Sequence, residues 1–249
     1  MPRSLFISRL IGTNPGRTIR ALKCFEVLLI FTFFVMCCSA QITATPRNAE
    51  ATSQLNVNWL YGAYVPKDVP LKSLTNPQRF QLYLRQSFTT PGIYAKSALF
   101  TIGDQISDSP PEWHGGTGFL QRLGSRHGQF VVQNSMSALG NGLLGYEPRY
   151  DRCRCSGWWQ RTGHALLRNF ITYNKSEKTM RPQVAMYAAA FGAGVVAGTW
   201  KPEPRDLVRE GYHSAITQVG FGMAANLVGE FAPEIKSLLG GKKHKSARE

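Results

Sequence analysis

The apolar residues of this chain recur mostly with the period of an α-helix. Such patterns cover residues 75–88, 93–106, 119–144, 157–173 and 184–200, and residues 205–239 have room for one or two more helices. Alternating β-branched residues, which would predict a strand, occur only at 130–132. We therefore predict an all-α fold: a compact bundle of six or seven helices that forms a single domain over residues 75–240.

Residues 1–40 have the pattern of a secretory signal peptide. A basic region (Arg3, Arg9, Arg17, Arg20 and Lys23) precedes a charge-free apolar run at 27–38, and the small residues Ser39 and Ala40 follow. We predict cleavage after Ala40. The apolar run is shorter than the roughly 20 residues that a spanning helix needs, so an uncleaved anchor over 25–40 is the second choice.

The segment between the signal and the first helix, residues 41–74, is predicted to be a flexible leader followed by an aromatic turn segment. Residues 41–58 are polar and without periodicity, whereas residues 59–69 are rich in aromatic and turn-forming residues. The aromatic part either caps the helical core or lies at a membrane interface, and the cap is favoured. Residues 241–249 are basic and begin at a glycine pair, which predicts a disordered tail.

The charge balance of the chain narrows its partners. The 24 basic and 14 acidic residues that follow residue 40 leave a net charge of +10. An exported protein with this excess is expected to meet anionic lipid or an anionic envelope polymer, and no nucleic acid. A membrane surface is therefore a candidate partner.

Small residues spaced four apart predict close contacts between helices. Ala190, Gly194 and Gly198 form one such set, and the pairs Ala138 with Gly142 and Ala225 with Gly229 form two more. A glycine inside a soluble helix costs about 1 kcal/mol relative to alanine, and close helix packing would compensate for that cost. Residues 184–200 are also apolar enough to keep a small polytopic membrane protein as an alternative.

The strongest polar constellation consists of Glu147, Arg149, Arg161 and His164. Arg161 and His164 are three residues apart and share a helix face. Glu147 is placed to orient His164 as a general base, with Arg149 and Arg161 binding an anion. The same four residues also fit a buried structural lock at a helix junction, and the lock is favoured because no nucleophile or second acid completes a catalytic set.

Cys153 and Cys155 form a C-x-C pair that allows three interpretations: a metal corner with His164, a short disulfide, or two unrelated thiols. A zinc site needs a fourth ligand, and no convincing one lies nearby. We therefore predict no metal, with Cys153, Cys155 and His164 as weak candidates only. No cofactor-binding motif occurs, so no cofactor is predicted.

Four short motifs occur in a fixed order along the second half of the chain. They are G-F-x-x-R-x-G at 118–124, E-P-R-Y at 147–150, R-x-x-H-A-L at 161–166 and N-L-V-G-E-F at 226–231. This series resembles a group of uncharacterised exported helical bacterial proteins, in which an Asp stands where this chain has Glu147. The resemblance implies export and a helical fold; it implies no activity, cofactor or substrate.

Together these patterns predict an exported, non-enzymatic protein of the cell envelope, in the periplasm or associated with an envelope membrane. The alternative from another class is a periplasmic enzyme or ligand carrier for a lipid or anionic small molecule, centred on His164 and Glu147.

Overall fold

The computed structural model describes residues 55–175, 177–202 and 205–239. The predicted signal peptide or anchor, the predicted leader up to residue 54 and the predicted basic tail lie outside the described residues. The described part is mostly helical, which confirms the predicted fold class.

Seven α-helices and five short strands make up the described residues. The helices are α1 (Asn76–Leu84), α2 (Pro91–Ile106), α3 (Gly115–Leu144), α4 (Trp158–Leu167), α5 (Val184–Trp200), α6 (Leu207–Glu230) and α7 (Ala232–Leu239). The strands are β1 (Val57–Asn58), β2 (Gly62–Val65), β3 (Tyr150–Asp151), β4 (Ile171–Asn174) and β5 (Thr179–Pro182). A π-helical turn, Arg85–Thr89, continues α1.

Helix α5 packs against both α3 and α6, α2 lies on α3, and α4 lies on α6. α1 begins as the sequence predicts, because the backbone amide of Thr75 donates to the side chain of Gln78 and Pro77 occupies the first turn. α5 has the predicted bounds. No helix among the described residues is both long enough and apolar enough to cross a membrane.

The crossing of α5 and α6 depends on Gly194. A Cβ atom at this position would lie 2.5 Å from the carbonyl oxygen of Glu210 and 2.9 Å from the Cα atom of Gly211. These are backbone atoms of the facing helix, which cannot give way as a flexible side chain would. Gly198 is next to the side chain of Leu207 in the same crossing, and Ala190 is fully buried. The two backbones therefore approach as closely as a small-residue stripe allows.

The other two predicted small-residue pairs do not make such a crossing. A Cβ at Gly142 would meet nothing within 4 Å, and Ala138 is only half-buried. A Cβ at Gly229 would lie 3.1 Å from the ring of Tyr61, a residue of the turn between β1 and β2 and of no helix. Ala225 is half-buried. Small residues spaced four apart indicate a groove on a helix, but the tertiary structure decides which group packs into that groove.

Two small sheets were not predicted. β1, β2 and β3 form one sheet in that order, antiparallel between β1 and β2 and parallel between β2 and β3. β4 and β5 form an antiparallel hairpin. The helix predicted over 157–173 therefore ends at Leu167, because the last part of that segment pairs with β5. The alternating residues at 130–132 lie inside α3.

The end of the predicted leader belongs to the core. Leu55 is buried in a cluster with Ala63, Leu74 and Leu82. The side chain of Arg85 also donates to the carbonyl oxygen of Leu55, at 3.2 Å. The polar composition of residues 41–58 hid this anchor because a single buried leucine has no periodicity.

We predict opposite effects of alanine at two glycines of this bundle. Gly194→Ala should lower the free energy of unfolding by about 1–3 kcal/mol through overpacking. Gly142→Ala, where space is open, should raise it by up to about 1 kcal/mol through higher helix propensity. Urea unfolding of both variants measures the difference, and equal effects would contradict the crossing.

Candidate functional site

The carboxylate of Glu230 is buried at the end of α6 and joins three parts of the chain. Its Oε2 accepts hydrogen bonds from the hydroxyl of Tyr150 at 2.8 Å and from the amide of Cys153 at 3.0 Å. Its Oε1 accepts from Nε of Arg161 at 3.0 Å. Nη2 of Arg161 also donates to the backbone carbonyl of Glu230 at 2.7 Å. β3, the loop after it and α4 are therefore all fixed to α6.

The charges at this junction are mutually compensated. Hydrogen bonding to Glu234, and next to Glu230, raises the pKa of Arg161 despite its partial burial. The hydrogen bond from Arg161 in turn lowers the pKa of Glu234. Burial raises the pKa of Tyr150 far above its usual range, and the hydrogen bond to Glu230 adds to this, so the phenol stays a neutral donor. The result is a buried ion pair with few unused hydrogen-bonding groups.

The four predicted site residues lie in three separate places. Glu147 pairs with Arg149 through an Nε–Oε1 contact of 2.7 Å, and both side chains are buried. Nη2 of Arg149 also donates to the carbonyl of Lys72 at 2.6 Å. Arg161 lies at the junction around Glu230. Glu147 therefore has Arg149 as its ion-pair partner, and the predicted contact between Glu147 and His164 is not among the hydrogen bonds of the described residues.

His164 is fixed by a backbone carbonyl instead. Its Nε2 lies 2.8 Å from the carbonyl oxygen of Asp151. A carbonyl oxygen only accepts, so Nε2 carries the hydrogen and Nδ1 carries the lone pair in the neutral ring. The ring also lies against Tyr150, with centroids 5.9 Å apart. The imidazole therefore has a defined tautomer and one nitrogen available as an acceptor.

A half-open pocket of about 400 Å³ lies beside His164. Its apolar lining is Val65, Pro66, Val69, Pro70 and Leu71, and its other lining residues are Asp151, Arg152, Cys153, Arg154 and His164. This volume is within the range of small-molecule sites. Nε of Arg152 is buried and without a hydrogen-bond partner among the described residues, whereas its Nη2 donates to the hydroxyl of Tyr61 at 2.9 Å. Two arginines, Arg152 and Arg154, therefore line the pocket, and the guanidinium of Arg152 lies over the rings of Tyr61 and Tyr64.

Cys153 and Cys155 are joined by a disulfide, with Cα atoms 5.2 Å apart. Their sulfurs are not thiolates, and thiolate is the form that binds zinc. Among the described residues no group of three or more His, Cys, Asp or Glu side chains is placed to hold a metal ion. Of the three interpretations of the C-x-C pair (a metal corner, a disulfide or two unrelated thiols), the structure therefore contains the disulfide.

The G-F-x-x-R-x-G motif at 118–124 stabilises the connection between α2 and α3. The buried guanidinium of Arg122 donates to the side chains of Gln105 and Asp108 at 2.7 and 3.0 Å. It also donates to the carbonyls of Ser109 and Pro110. A Cβ at Gly118 would lie 2.2 Å from the carbonyl oxygen of Trp113, so this glycine is required for the same turn.

Sequence reasoning missed Glu230 and Lys96 as buried charges. Glu230 was recognised only as part of the N-L-V-G-E-F motif, although it is the first charged residue after the charge-free stretch 212–229. Lys96 is the sole charged residue between Arg85 and Asp104. An isolated charge in an otherwise apolar segment was the signal available in both cases.

The ammonium of Lys96 lies over two aromatic rings. Nζ is 4.1 Å from the ring centroid of Phe130 and 4.4 Å from that of Phe221. Although the residue as a whole is only half-buried, burial around the ammonium lowers its pKa to about 8. Polar pairs surround it: Nε2 of Gln129 donates to Ser214, at 3.0 Å. The cavity there has a volume of about 10 Å³, room for one water molecule at most.

Comparison of the chain with protein-family models, with curated proteins and with solved structures finds no match in any of the three. The resemblance to a group of exported bacterial proteins stays a prediction. A function for this chain must therefore be argued from its own residues and their geometry.

We predict unequal costs for the two carboxylates that Arg161 contacts. Glu230→Gln should lower the free energy of unfolding by about 2–3 kcal/mol, because the half-buried Arg161 and the hydroxyl of Tyr150 lose a charged acceptor. Glu234→Gln is the matched control, since Glu234 pairs with the same arginine but its side chain is 48% exposed. It should cost less than about 1 kcal/mol. Urea unfolding measures both, and similar losses would show that Glu230 is not the central contact.

We predict a pH dependence of stability that comes from Lys96. Its pKa is about 8 in the folded chain against an ordinary value of 10.5, so between these values the unfolded chain binds more protons. Unfolding free energy should therefore rise with pH across this window, by about 3 kcal/mol relative to Lys96→Met. The comparison with Lys96→Met cancels the other titrating groups. A difference between the two proteins that stays constant from neutral pH to about 10.5 would contradict the lowered pKa.

Proposed function

We propose that this chain is an exported, non-enzymatic protein of the bacterial cell envelope that attaches to an anionic membrane surface. The observation that carries the proposal is the exposure of two neighbouring indoles, Trp158 at 60% and Trp159 at 81%, in the first turn of α4. Tryptophan prefers the membrane–water interface because its ring is apolar and its N–H is a hydrogen-bond donor.

Contacts between α4 and the end of α6 hold the two indoles in place, which supports this role. The ring of Trp158 lies 4.6 Å from the ring of Phe231, at the end of α6. The guanidinium of Arg161 lies 4.5 Å from the centroid of the same Phe231 ring and is also paired with Glu230. Because α4 is held on α6 at these contacts, the exposed Trp159 is presented at little cost in conformational entropy.

The positive charge of the chain and its predicted export also support attachment to an anionic membrane. Arg154 is exposed close to the start of α4, and the residues after residue 40 have a net charge of +10. Each basic residue near an anionic bilayer contributes about 1 kcal/mol of binding. The signal-like residues 1–40 support export, and the disulfide between Cys153 and Cys155 is typical of oxidising compartments outside the cytoplasm.

A second candidate function is a periplasmic ligand carrier or enzyme for an anionic small molecule or lipid. The 400 Å³ pocket beside His164, which Arg152 and Arg154 line, favours it. Of the two residues that the sequence predicts for this function, His164 lines the pocket and Glu147 does not. The candidate site is therefore centred on His164.

We predict that Trp159→Ser lowers the partitioning of the full chain onto vesicles of anionic phospholipid by about tenfold, or about 1.4 kcal/mol. Ile106→Ser is the matched control, because Ile106 is 82% exposed on α2 and should leave partitioning unchanged. Co-sedimentation with anionic and with zwitterionic vesicles measures the effect. Equal binding by the wild type and Trp159→Ser would overturn the proposed attachment, as would equal binding to the two lipid types.

A further inference from the structure

We propose that Cys153 and Cys155 form a thiol–disulfide exchange site for anionic thiols. The proposal is independent of membrane attachment, which makes no use of the disulfide. It assigns a redox function to the pocket beside His164, whose lining includes Cys153.

The spacing of the two cysteines argues against a stabilising cross-link. A disulfide stabilises a fold mainly by restricting the unfolded chain, and the effect grows with the length of the loop that it closes. Here only Arg154 separates the two cysteines. The bridge therefore restricts the unfolded chain very little, and its presence needs another explanation.

An attacking thiol can reach the bridge. Cys155 is partly exposed, and Cys153, although buried, contributes to the wall of the half-open 400 Å³ pocket. Exchange requires a thiolate to approach one sulfur of the disulfide. The more exposed sulfur, that of Cys155, is therefore the expected point of attack.

Hydrogen bonding and charge favour Cys153 as the leaving group. The backbone amide of Cys155 donates to Sγ of Cys153 at 3.3 Å, a contact that would stabilise a thiolate there. The cations nearby are Arg152 and Arg154, which line the pocket, and Lys67, whose Nζ donates to the carbonyl of Cys155 at 3.1 Å. A thiolate that is stabilised in this way leaves more rapidly.

The acidic groups nearby do not cancel this positive field. Asp151 is paired with Arg168 through a contact of 2.5 Å, and Glu230 and Glu234 are both paired with Arg161, although Glu234 also interacts with Lys67. Arg154, between the two cysteines, is exposed and donates to the carbonyl of Val69, so its charge remains available to an anion in the pocket that it lines. An anionic thiol fits such a pocket better than a cationic one.

The backbone around the bridge is held independently of it. The amide of Cys153 donates to Glu230, and the amide of Arg152 donates to the carbonyl of Val65 at 3.2 Å. These hydrogen bonds remain when the disulfide is opened. Reduction should therefore leave the fold intact, as a reversible redox site requires.

The exchange itself balances as follows. A thiolate attacks Sγ of Cys155, the bond between Cys155 and Cys153 breaks, and Cys153 leaves with the electron pair. A second thiol, on the same molecule or on another one, then displaces Cys155 from the mixed disulfide. The two attacking thiols lose two electrons and two protons and become a disulfide, and the two cysteines gain them as thiols.

The test uses the full chain with Cys24→Ser, Cys37→Ser and Cys38→Ser, so that Cys153 and Cys155 are the remaining cysteines. Reduction by glutathione, an anionic thiol, is compared with reduction by cysteamine, a cationic one, at equal thiolate concentration and low salt. We expect glutathione to react at least about tenfold faster, with the ratio falling as salt screens the charges. Circular dichroism should show the same helix content before and after reduction.

Two pairs of variants make the test specific. In the same background, Cys153→Ser should leave Cys155 free to form a stable mixed disulfide with oxidised glutathione, detected by mass, whereas Cys155→Ser should react more slowly. Arg154→Gln should slow reduction by glutathione about threefold, and Arg209→Gln, an exposed arginine on α6, should not change it.

Three results would overturn the proposal. One is a disulfide that glutathione reduces only after the chain has been unfolded. Another is an equal rate with the two thiols at low salt. The third is loss of helix content on reduction, which would make the bridge a structural cross-link after all.

Discussion

The buried carboxylate of Glu230 is the contact on which the C-terminal half of this structure depends. A charge in a protein interior is tolerated only when it is paired and hydrogen-bonded, and Arg161, Tyr150 and the amide of Cys153 supply these partners. Three of the four sequence motifs contribute to this one group. The positions of Cys153 and of the indoles in α4 follow from it, because each lies on a segment that Glu230 holds.

The central helices pack through small and polar side chains rather than large apolar ones. At Gly194 the backbones of α5 and α6 nearly touch, and Gln129 bonds to Ser214 between α3 and α6. Such close packing leaves little room for leucine or isoleucine inside the bundle. Large apolar residues such as Ile106 and Leu143 are consequently exposed.

The sequence predicted those parts of the fold that depend on local pattern. α5 has the predicted bounds, and α1 begins at the predicted capping residues, because periodicity and capping act over a few residues. The strand at 171–174 was missed since its partner lies in β5, and pairing leaves no mark in a single apolar run. For the candidate site, the residue types were identified but not their partners: Glu147 contacts Arg149, and His164 contacts a backbone carbonyl.

By itself the sequence determined the helical class, the small-residue stripe that includes Gly194, and the residue types of the candidate site. Only the tertiary structure decided that Glu230, 69 residues after Arg161 in the chain, is its ion-pair partner, and that Cys153 lines a pocket. The physical reason is the range of the interactions. Helix propensity and capping are settled by neighbours along the chain, whereas a buried charge takes whichever partner the packing of distant segments brings within hydrogen-bond distance.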